Sequence, residues 1–489
     1  MTMIEAVFKR AGIIALALIV VACSSRNAQA PFSLMPQNAP PGRPHASAYP
    51  ITHVVVIMQE NRSFDNMFYA FPGAETATFG YGHGVKYTMV PKHLKFDFDL
   101  NHYHYQFLED FDSGQNDGWD RMIHGHLTTK GCNGTNWVNE PSCWVLYTDK
   151  NHAQMPFTYV YKSEIQPYWT MASQYTLGDH NFGSTNGPSF GEHQELIAGQ
   201  DGHASEVPSA MPWGCDKPSE HEYYLHYGSA NPPAFPPAVG HEVWGPDPCF
   251  TYKTVANLLD SAHVSWRWYK QPDPPPGMRS DSYNPLDSYW LDAFDAIKAV
   301  RYGRDYQNVV TPDMQVLTDI ADANMAQVSW VMPHQGASDH PGGGSGDCGP
   351  AWVTAIVNAI GQSQYWNSTA IVISWDEWGG WFDHVLPTQY PNLKTGTYEG
   401  LGYRTPLIVI SPYAKTHYIS KSQHETASSL HFIEKMFGLP SLKLDDARAD
   451  AYDDVFDFSQ QPTKFKKIPQ PANYQTCLSQ QDAGPEIDY

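Results

Sequence analysis

Four short runs of uninterrupted apolar residues constrain the fold of this chain most strongly. They are residues 54–58, 328–332, 370–374 and 407–410. A strand that is apolar at every position is buried on both faces, which is typical of parallel sheets covered by helices. Helical patterns at 254–262, 352–360 and 426–437 alternate with these runs. The sequence therefore predicts an α/β fold with a doubly wound, mostly parallel central sheet and helices on both faces.

The charge balance argues against one class of partner. The formal net charge is −21, from 51 acidic and 30 basic residues. Binding to a polyphosphate backbone depends on Lys and Arg side chains that release counterions, so we expect no nucleic-acid partner. The length allows two or three domains or one large α/β unit. We predict one catalytic domain over residues 51–489, with an excursion rich in Pro, Gly and aromatic residues at about 202–248.

The first 30 residues have the pattern of an export signal. Lys9 and Arg10 precede an apolar run at 11–22 that is too short to span a bilayer comfortably. Residues 20–23 resemble a bacterial lipoprotein box that would lipidate Cys23, and cleavage after Ala30 is the alternative. We therefore expect an exported protein, periplasmic or at the cell surface, that is lipid-anchored at Cys23 or else secreted. The Pro/Ala-rich residues 31–50 fit a tether.

Six cysteines follow Cys23, and an even number in an exported chain favours disulfides. They are Cys132, Cys143, Cys215, Cys249, Cys348 and Cys477. The short spacings suggest the pairs Cys132 with Cys143 and Cys215 with Cys249. Spacing alone does not select one set of pairings.

Polar segments follow three of the four apolar runs. They are residues 59–65, 333–341 and 376–384. In an open α/β sheet, ligands bind beyond the carboxyl ends of the strands, so these segments are candidates for one site.

Two pairs of residues in these segments carry hard oxygen ligands. Glu60 with Asn61 follows one strand, and Asp376 with Glu377 follows another. A single acidic residue at a strand end is more often a helix cap or a solvated charge. Two pairs at one sheet edge instead favour a divalent metal ion of a hydrolase, with calcium, magnesium, manganese or iron as candidates.

Ser189 lies in a glycine-bearing turn that predicts the start of a helix ending before Gly199. A hydroxyl at that position meets the positive end of the helix dipole and free backbone N–H groups, which together receive phosphate. An ordinary N-cap serine has the same local pattern.

Several titratable residues nearby have two interpretations each. His102 and His340 could hold phosphate oxygens or protonate a leaving group, or they could be structural. Asp383 and His384, together with Asp339, could orient the metal ligands from outside, or Asp383 and His384 could pair with each other.

Taken in order, these motifs resemble the bacterial phosphoesterase family that includes acid phosphatases and phosphatidylcholine-type phospholipases C, within the alkaline-phosphatase-like superfamily. The resemblance covers most of residues 51–440. Its most specific pieces are residues 60–65, 187–189, 338–341, 375–385, 403–406, 411–413 and 424–426.

The resemblance implies roles for the candidate residues. It implies one divalent metal ion surrounded by Glu60, Asn61, Asp376, Glu377 and Ser189. Ser189 would attack phosphorus, His102 and His340 would contact the phosphoryl group, and a phosphoserine would then be hydrolysed. The family usually continues the nucleophile turn with Pro-Asn before a basic residue, whereas Gly191-Glu192 precede His193 here. This departure leaves the roles of those residues open.

The expected substrate is a phosphate ester. A Ser after Gly-Pro is closer to the acid phosphatases of the family, so a phosphomonoesterase is the first interpretation. A phospholipase C acting on phosphatidylcholine-like diesters is the alternative, with Trp378, Trp381 and Phe382 as a candidate cation-binding wall. A catalytically inactive surface binding protein is the alternative from another class.

Overall fold

The chain is described from a computed structural model. The described residues are 49–95, 99–125, 144–147, 150–208, 213–216, 223–225, 242–244, 247–271, 292–341, 348–392 and 397–479. The predicted signal at 1–30, the lipidation site Cys23, most of the tether and the Cys132–Cys143 pair lie outside these residues. Within the described ranges, none of the helices has the length and apolar character needed to cross a bilayer.

An eight-stranded sheet forms the centre of the fold. In chain order, its strands are His53–Gln59 (β1), Thr176–Gly178 (β2), Trp266–Tyr269 (β3), Val309–Val310 (β4), Val328–Val331 (β5), Thr369–Trp375 (β6), Leu407–Ile410 (β7) and Tyr418–Ser420 (β8). The order across the sheet is β4-β3-β5-β1-β6-β7-β2-β8. All strands except β7 run in one direction. The mostly parallel α/β sheet is therefore confirmed.

The direction of β7 corrects one prediction. The apolar run at 407–410 forms a strand, but this strand is antiparallel to both of its neighbours, β6 and β2. A continuous apolar run indicates that both faces of a strand are buried, and it carries no information about direction.

Helices connect and cover the strands. They are Phe64–Phe68 (α1), His104–Phe111 (α2), Lys150–Gln154 (α3), Gln166–Gln174 (α4), Ser189–Ala198 (α5), Val255–Ser261 (α6), Lys298–Arg301 (α7), Gln315–Ala321 (α8), Gly349–Gly361 (α9), Thr426–Phe437 (α10) and Tyr474–Ser479 (α11). The three predicted helical patterns correspond to α6, α9 and α10, and α5 begins at Ser189 as the glycine-bearing turn predicts.

Short two-stranded sheets form in the loops around the central sheet. They are Phe79–Gly82 with Val85–Thr88, Val90–Lys92 with Thr158–Val160, Met122–Gly125 with Trp144–Tyr147, Asn181–Phe182 with His424–Glu425, Tyr223–Leu225 with Glu242–Trp244, and Gln389–Asn392 with Thr397–Gly400.

Alternate residues of β1 are buried on opposite faces of the sheet. Val54 and Val56 belong to a core that includes residues of α5, α6 and α10. Val55 and Ile57 belong to a second core that includes residues of α1, α4, α8 and α9. Helices thus cover both faces, as predicted, and burial of apolar area at roughly 25 cal/mol per Å² is the main stabilising term.

Two disulfides join distant segments of the described chain. Cys215 pairs with Cys249, which is the pair that the short spacing predicts. Cys348, just before α9, pairs with Cys477 in α11 across 129 residues. Disulfides of this kind fit a protein that folds in an oxidising compartment.

Three adjacent strands position the candidate site. β5 and β6 flank β1 and run parallel to it, so their carboxyl ends lie at one edge of the sheet. Glu60 follows β1 directly, and Asp376 follows β6 directly. The loop that carries Asp339 and His340 follows β5.

Candidate active site

A hydrogen bond between the ends of β1 and β6 builds the base of the site. The backbone N–H of Asn61 donates to Asp376 Oδ1 at 2.9 Å, and the N–H of Asp376 donates to Gln59 O at 3.0 Å. Asn61 has a left-handed backbone (φ +46°), which Asn tolerates better than most residues. Asn61 Oδ1 and Asp376 Oδ2 are buried and accept no hydrogen bond from the described residues.

Glycines let the loop after β6 approach the other loops closely. Gly379 and Gly380 both have positive φ, +63° and +69°. A Cβ on Gly379 would overlap the carbonyl oxygen of Asn61, and one on Gly380 would lie 2.6 Å from Asn101 O. Only residues without a side chain fit these two positions, so the pair fixes how the loops around Asn61 and Asn101 meet.

The first turn of α5 faces the same point. His193 Nε2 lies 3.2 Å from Glu60 Oε1 and 3.9 Å from Asp376 Oδ2. Ser189 is four residues earlier on α5, and side chains at that spacing share a helix face. The face that carries Ser189 is therefore turned toward the ends of β1 and β6. Ser189 is 1% exposed, and its Oγ makes no hydrogen bond with the described residues.

Glu192 folds back onto the turn that precedes Ser189. Its carboxylate accepts hydrogen bonds from the N–H groups of Ser184 (3.0 Å) and Thr185 (2.7 Å) and from Thr185 Oγ1 (2.9 Å). Burial raises the pKa of Glu192 to about 8, and these hydrogen bonds oppose the shift. Glu192, which departs from the family pattern, thus holds in place the turn that precedes Ser189.

His102 orients the side chain of Asn61. Its Nδ1 lies 2.7 Å from Leu100 O, which can only accept, so Nδ1 carries the ring proton. In the neutral ring, Nε2 then accepts from Asn61 Nδ2 at 3.1 Å. With its amide nitrogen engaged in this way, Asn61 keeps Oδ1 available as an oxygen ligand.

His340 and Asp99 lie beside His102. The rings of His102 and His340 are 6.0 Å apart, edge to face. His340 Nδ1 contacts Pro341 O, so this ring also donates through Nδ1. Asp99 Oδ1 lies 3.8 Å from His102 Nδ1. One ligand atom from each of these three residues falls within 4.8 Å of the others.

Glu377 is turned toward His102. Gly379 N–H donates to Glu377 Oε2 at 2.6 Å, and Glu377 Oε1 lies 3.7 Å from His102 Nε2. The ligand atoms that lie closest to the Asp376 carboxylate come instead from Glu60 and His193.

Asp339 belongs to a buried network under His340. Its Oδ2 accepts from Tyr168 Oη (2.8 Å) and Trp375 Nε1 (3.1 Å), and its N–H donates to Gln59 Oε1 at 2.9 Å. Burial raises the pKa of the Asp339 carboxyl to about 7, against the hydrogen bond from Tyr168 and the charge of Arg62. Asp339 thus links the loop after β5 to the ends of β1 and β6.

Asp383 and His384 form a separate buried ion network. Arg404 donates to both oxygens of Asp383, at 2.8 and 3.2 Å. His384 Nδ1 lies 2.6 Å from Asp65 Oδ2, and the N–H of Asp65 donates to Asp383 Oδ2 at 3.1 Å. These contacts anchor the first turn of α1, which follows Asn61 closely in the chain. Asp383 and His384 would therefore affect the candidate metal ligands through the position of α1.

The aromatic residues after Asp376 are packed in the interior. Trp378, Trp381 and Phe382 are at most 2% exposed. The guanidinium of Arg62 lies 5.1 Å from the ring of Trp381, and Phe382 packs against Trp119 and other rings. The predicted cation-binding wall is therefore wrong for these residues, because their faces are already covered by protein.

The donor set fits a divalent cation. Glu60 Oε, His193 N and Asp376 Oδ atoms lie within 4.8 Å of one another, and all three residues are buried. Buried carboxylates cost several kcal/mol each without a compensating charge. Unbonded Asn61 Oδ1 and Ser189 Oγ are further donors. A metal ion would supply the charge that these buried groups require.

The sequence prediction missed two members of this assembly. The position of His193 could have been predicted from its spacing, because a residue four positions after Ser189 on a helix lies on the same helix face. Asp99 lies three residues before His102 in a loop without periodicity, so no sequence signal identified it.

Comparisons with known proteins identify a family and several relatives of this chain. The profile of the Phosphoesterase family matches residues 51–440. Phospholipase C A of Mycobacterium tuberculosis is 24% identical over 430 residues, covering 80% of this chain and 73% of that protein. Hemolytic phospholipase C of Pseudomonas aeruginosa is 24% identical over 440 residues, covering 80% of this chain and 53% of that protein. The crystal structure of a protein in the alkaline phosphatase superfamily from Vibrio parahaemolyticus covers 83% of this chain and 72% of its own, with a TM-score of 0.33 and 9% identity, a likeness too low to carry weight.

Substitution of Gly379 tests the close approach of the loops. Gly379→Ala should lower the free energy of unfolding by about 1–3 kcal/mol more than Gly438→Ala, because it adds a steric overlap with Asn61 O. Gly438 has the same φ of +63° with no heavy atom within 4 Å of a Cβ, so it reports backbone strain alone. Urea denaturation in EDTA measures both variants. Equal losses would show that the approach at Gly379 is not tight.

The raised pKa of Asp339 predicts that the free energy of unfolding depends on pH. Its pKa of about 7 in the folded protein exceeds the value of about 3.9 in unfolded chains. The resulting stabilisation is complete below pH 4 and is lost as the pH rises through 7. Asp339→Asn lacks this titration, so the variant should gain roughly 4 kcal/mol relative to the parent between pH 4 and pH 8. Denaturation across this range in EDTA measures the difference, and a pH-independent difference would contradict the buried-carboxyl assignment.

Proposed function

The chain belongs to the phosphoesterase family, and we propose that this phosphoric ester hydrolase uses Ser189 as its nucleophile beside one divalent metal ion. One observation carries the proposal. Ser189 Oγ is buried at the start of α5, on the helix face whose His193 contacts Glu60 and Asp376 from two strand ends. A hydroxyl without a hydrogen-bond partner among the described residues, next to buried carboxylates and a helix N-terminus, is arranged to attack phosphorus.

Ser189 and the N-terminus of α5 contribute different functions to the first chemical step. Ser189 Oγ forms a bond to phosphorus while the bond to the substrate alcohol breaks. The backbone N–H groups at the start of α5 face the charge of the phosphoryl oxygens. A divalent cation, when bound, offsets that charge and favours the ionised serine hydroxyl.

The two histidines have different assignments in this proposal. His102 Nε2 accepts from Asn61, so His102 positions a metal ligand. His340 donates through Nδ1 to Pro341 O, and its protonated Nε2 delivers a proton to the departing alkoxide. In the second step, water attacks phosphorus of the Ser189 adduct, His340 takes its proton, and the bond to Ser189 Oγ breaks. The product is inorganic phosphate from a monoester substrate and a phosphate monoester from a diester substrate.

Phosphodiesters of phospholipid type are the first substrate class that we propose. The support is that curated relatives spanning 80% of the chain are named phospholipase C. Phosphomonoesters are the second class, favoured by the Ser after Gly-Pro, which resembles the acid phosphatases of the family. We also propose that the protein works outside the cytoplasm, with Cys215–Cys249 and Cys348–Cys477 as support.

Removal of the nucleophile tests the mechanism. Ser189→Ala should lower 4-nitrophenol release from 4-nitrophenylphosphorylcholine and from 4-nitrophenyl phosphate by roughly 10³-fold or more, because the variant lacks the attacking Oγ. Ser205→Ala is the matched control, since Ser205 is also buried with an Oγ that makes no hydrogen bond with the described residues. Both variants should unfold at the same urea concentration as the parent within error. Retained activity in Ser189→Ala would exclude this nucleophile.

Substrate preference separates the two ester classes. The metal-loaded enzyme should hydrolyse 4-nitrophenylphosphorylcholine with a higher kcat/KM than 4-nitrophenyl phosphate, because the named relatives are phospholipases. Release of 4-nitrophenol is measured for both. A higher kcat/KM for the monoester would instead assign the chain to the phosphomonoesterases.

A further inference from the structure

His193 brings an imidazole nitrogen into an otherwise oxygen-rich cluster. Its Nε2 lies 3.2 Å from Glu60 Oε1 and 3.9 Å from Asp376 Oδ2. The side chains of His193, Glu60 and Asp376 are each at most 1% exposed. The contact therefore lies inside the protein, where solvent does not screen it.

The spacing of these atoms suits one ion. Ligand atoms that share a metal at about 2.0–2.4 Å lie roughly 3–4.6 Å apart, depending on the angle between them. One ligand atom from each of Glu60, His193 and Asp376 lies within 4.8 Å of the other two. An ion between the three would meet each of them after small side-chain rotations.

The charges also match. With His193 neutral, Glu60 and Asp376 together carry a charge of about −2, which a divalent cation balances. Metal binding requires the imidazole in its neutral form, and two carboxylates with one imidazole form a mixed donor set. The alternative to a bound metal ion is a proton on His193 Nε2. In that state His193 would be the counterion of both carboxylates.

We propose that His193 is a nitrogen ligand of the metal ion, and that the site therefore prefers iron or zinc to calcium and magnesium. Imidazole suits iron and zinc, whereas calcium and magnesium prefer all-oxygen sites. The inference rests on the metal-dependent function proposed above and adds the identity class of the metal. It also gives a role to His193, the residue that directly follows the departure at Gly191-Glu192 from the family pattern.

Pulsed EPR of the Mn²⁺-loaded protein tests the ligand directly. Metal-free protein with one equivalent of Mn²⁺ should show ¹⁴N modulation from a coordinated imidazole, and His193→Gln should lose it. His334→Gln is the matched control, because His334 is a buried histidine paired with one carboxylate, Asp313, at 2.8 Å and belongs to no three-ligand group among the described residues. This control should keep the modulation.

Affinities test the metal preference. By titration calorimetry, His193→Gln should weaken Zn²⁺ binding at least about tenfold but Ca²⁺ binding by less than about threefold, since the oxygen ligands remain. Modulation that is absent from the parent or persists in His193→Gln would overturn the proposal, as would equal losses of affinity for both ions. These readouts need no turnover. Failure of the proposed function, with no phosphate ester hydrolysed, would leave the spectroscopic assignment standing and is distinguishable from failure of this inference.

Discussion

The hydrogen bond from Asn61 N–H to Asp376 Oδ1 is the interaction on which the site depends. It joins the ends of two adjacent parallel strands, and Asp376 Oδ2 and Asn61 Oδ1 are buried beside it without a hydrogen-bond partner among the described residues. The geometry requires a left-handed backbone at Asn61 and a glycine at 379. The backbone conformation at Asn61 and Gly379 therefore determines where the candidate ligands Asn61 and Asp376 lie.

The buried charges explain why the N-terminus of α5 lies at this edge of the sheet and why we propose a cation there. Glu60 and Asp376 are fully buried beside His193, where uncompensated carboxylates are costly. The N-terminus of α5 adds positive potential and presents Ser189. Glu192 and the turn that it holds set where α5 begins. The carboxylates that are costly to bury without a counter-charge are therefore the groups that we propose as ligands of the metal ion.

The sequence predicted four of the eight strands of the sheet and the start of α5, because continuous apolar runs and turn residues are local signals. It did not predict the direction of β7, since burial on both faces is the same for parallel and antiparallel strands. The contact of His193 with Glu60 depends on how α5 is rotated about its axis, which follows from packing against distant residues. Likewise, Asp383 pairs with Arg404, 21 residues away, because tertiary structure brings them together.

The central claim is that Ser189 becomes covalently phosphorylated during turnover. Acid quenching of the metal-loaded enzyme during steady-state hydrolysis, followed by peptide mass spectrometry, measures this directly. The account predicts a peptide modified on Ser189 by the phosphoryl group of the substrate, which still carries the head group when the substrate is a diester, and no such peptide when substrate is omitted. Rapid turnover with an unmodified Ser189 peptide, or phosphate on another residue, would contradict it.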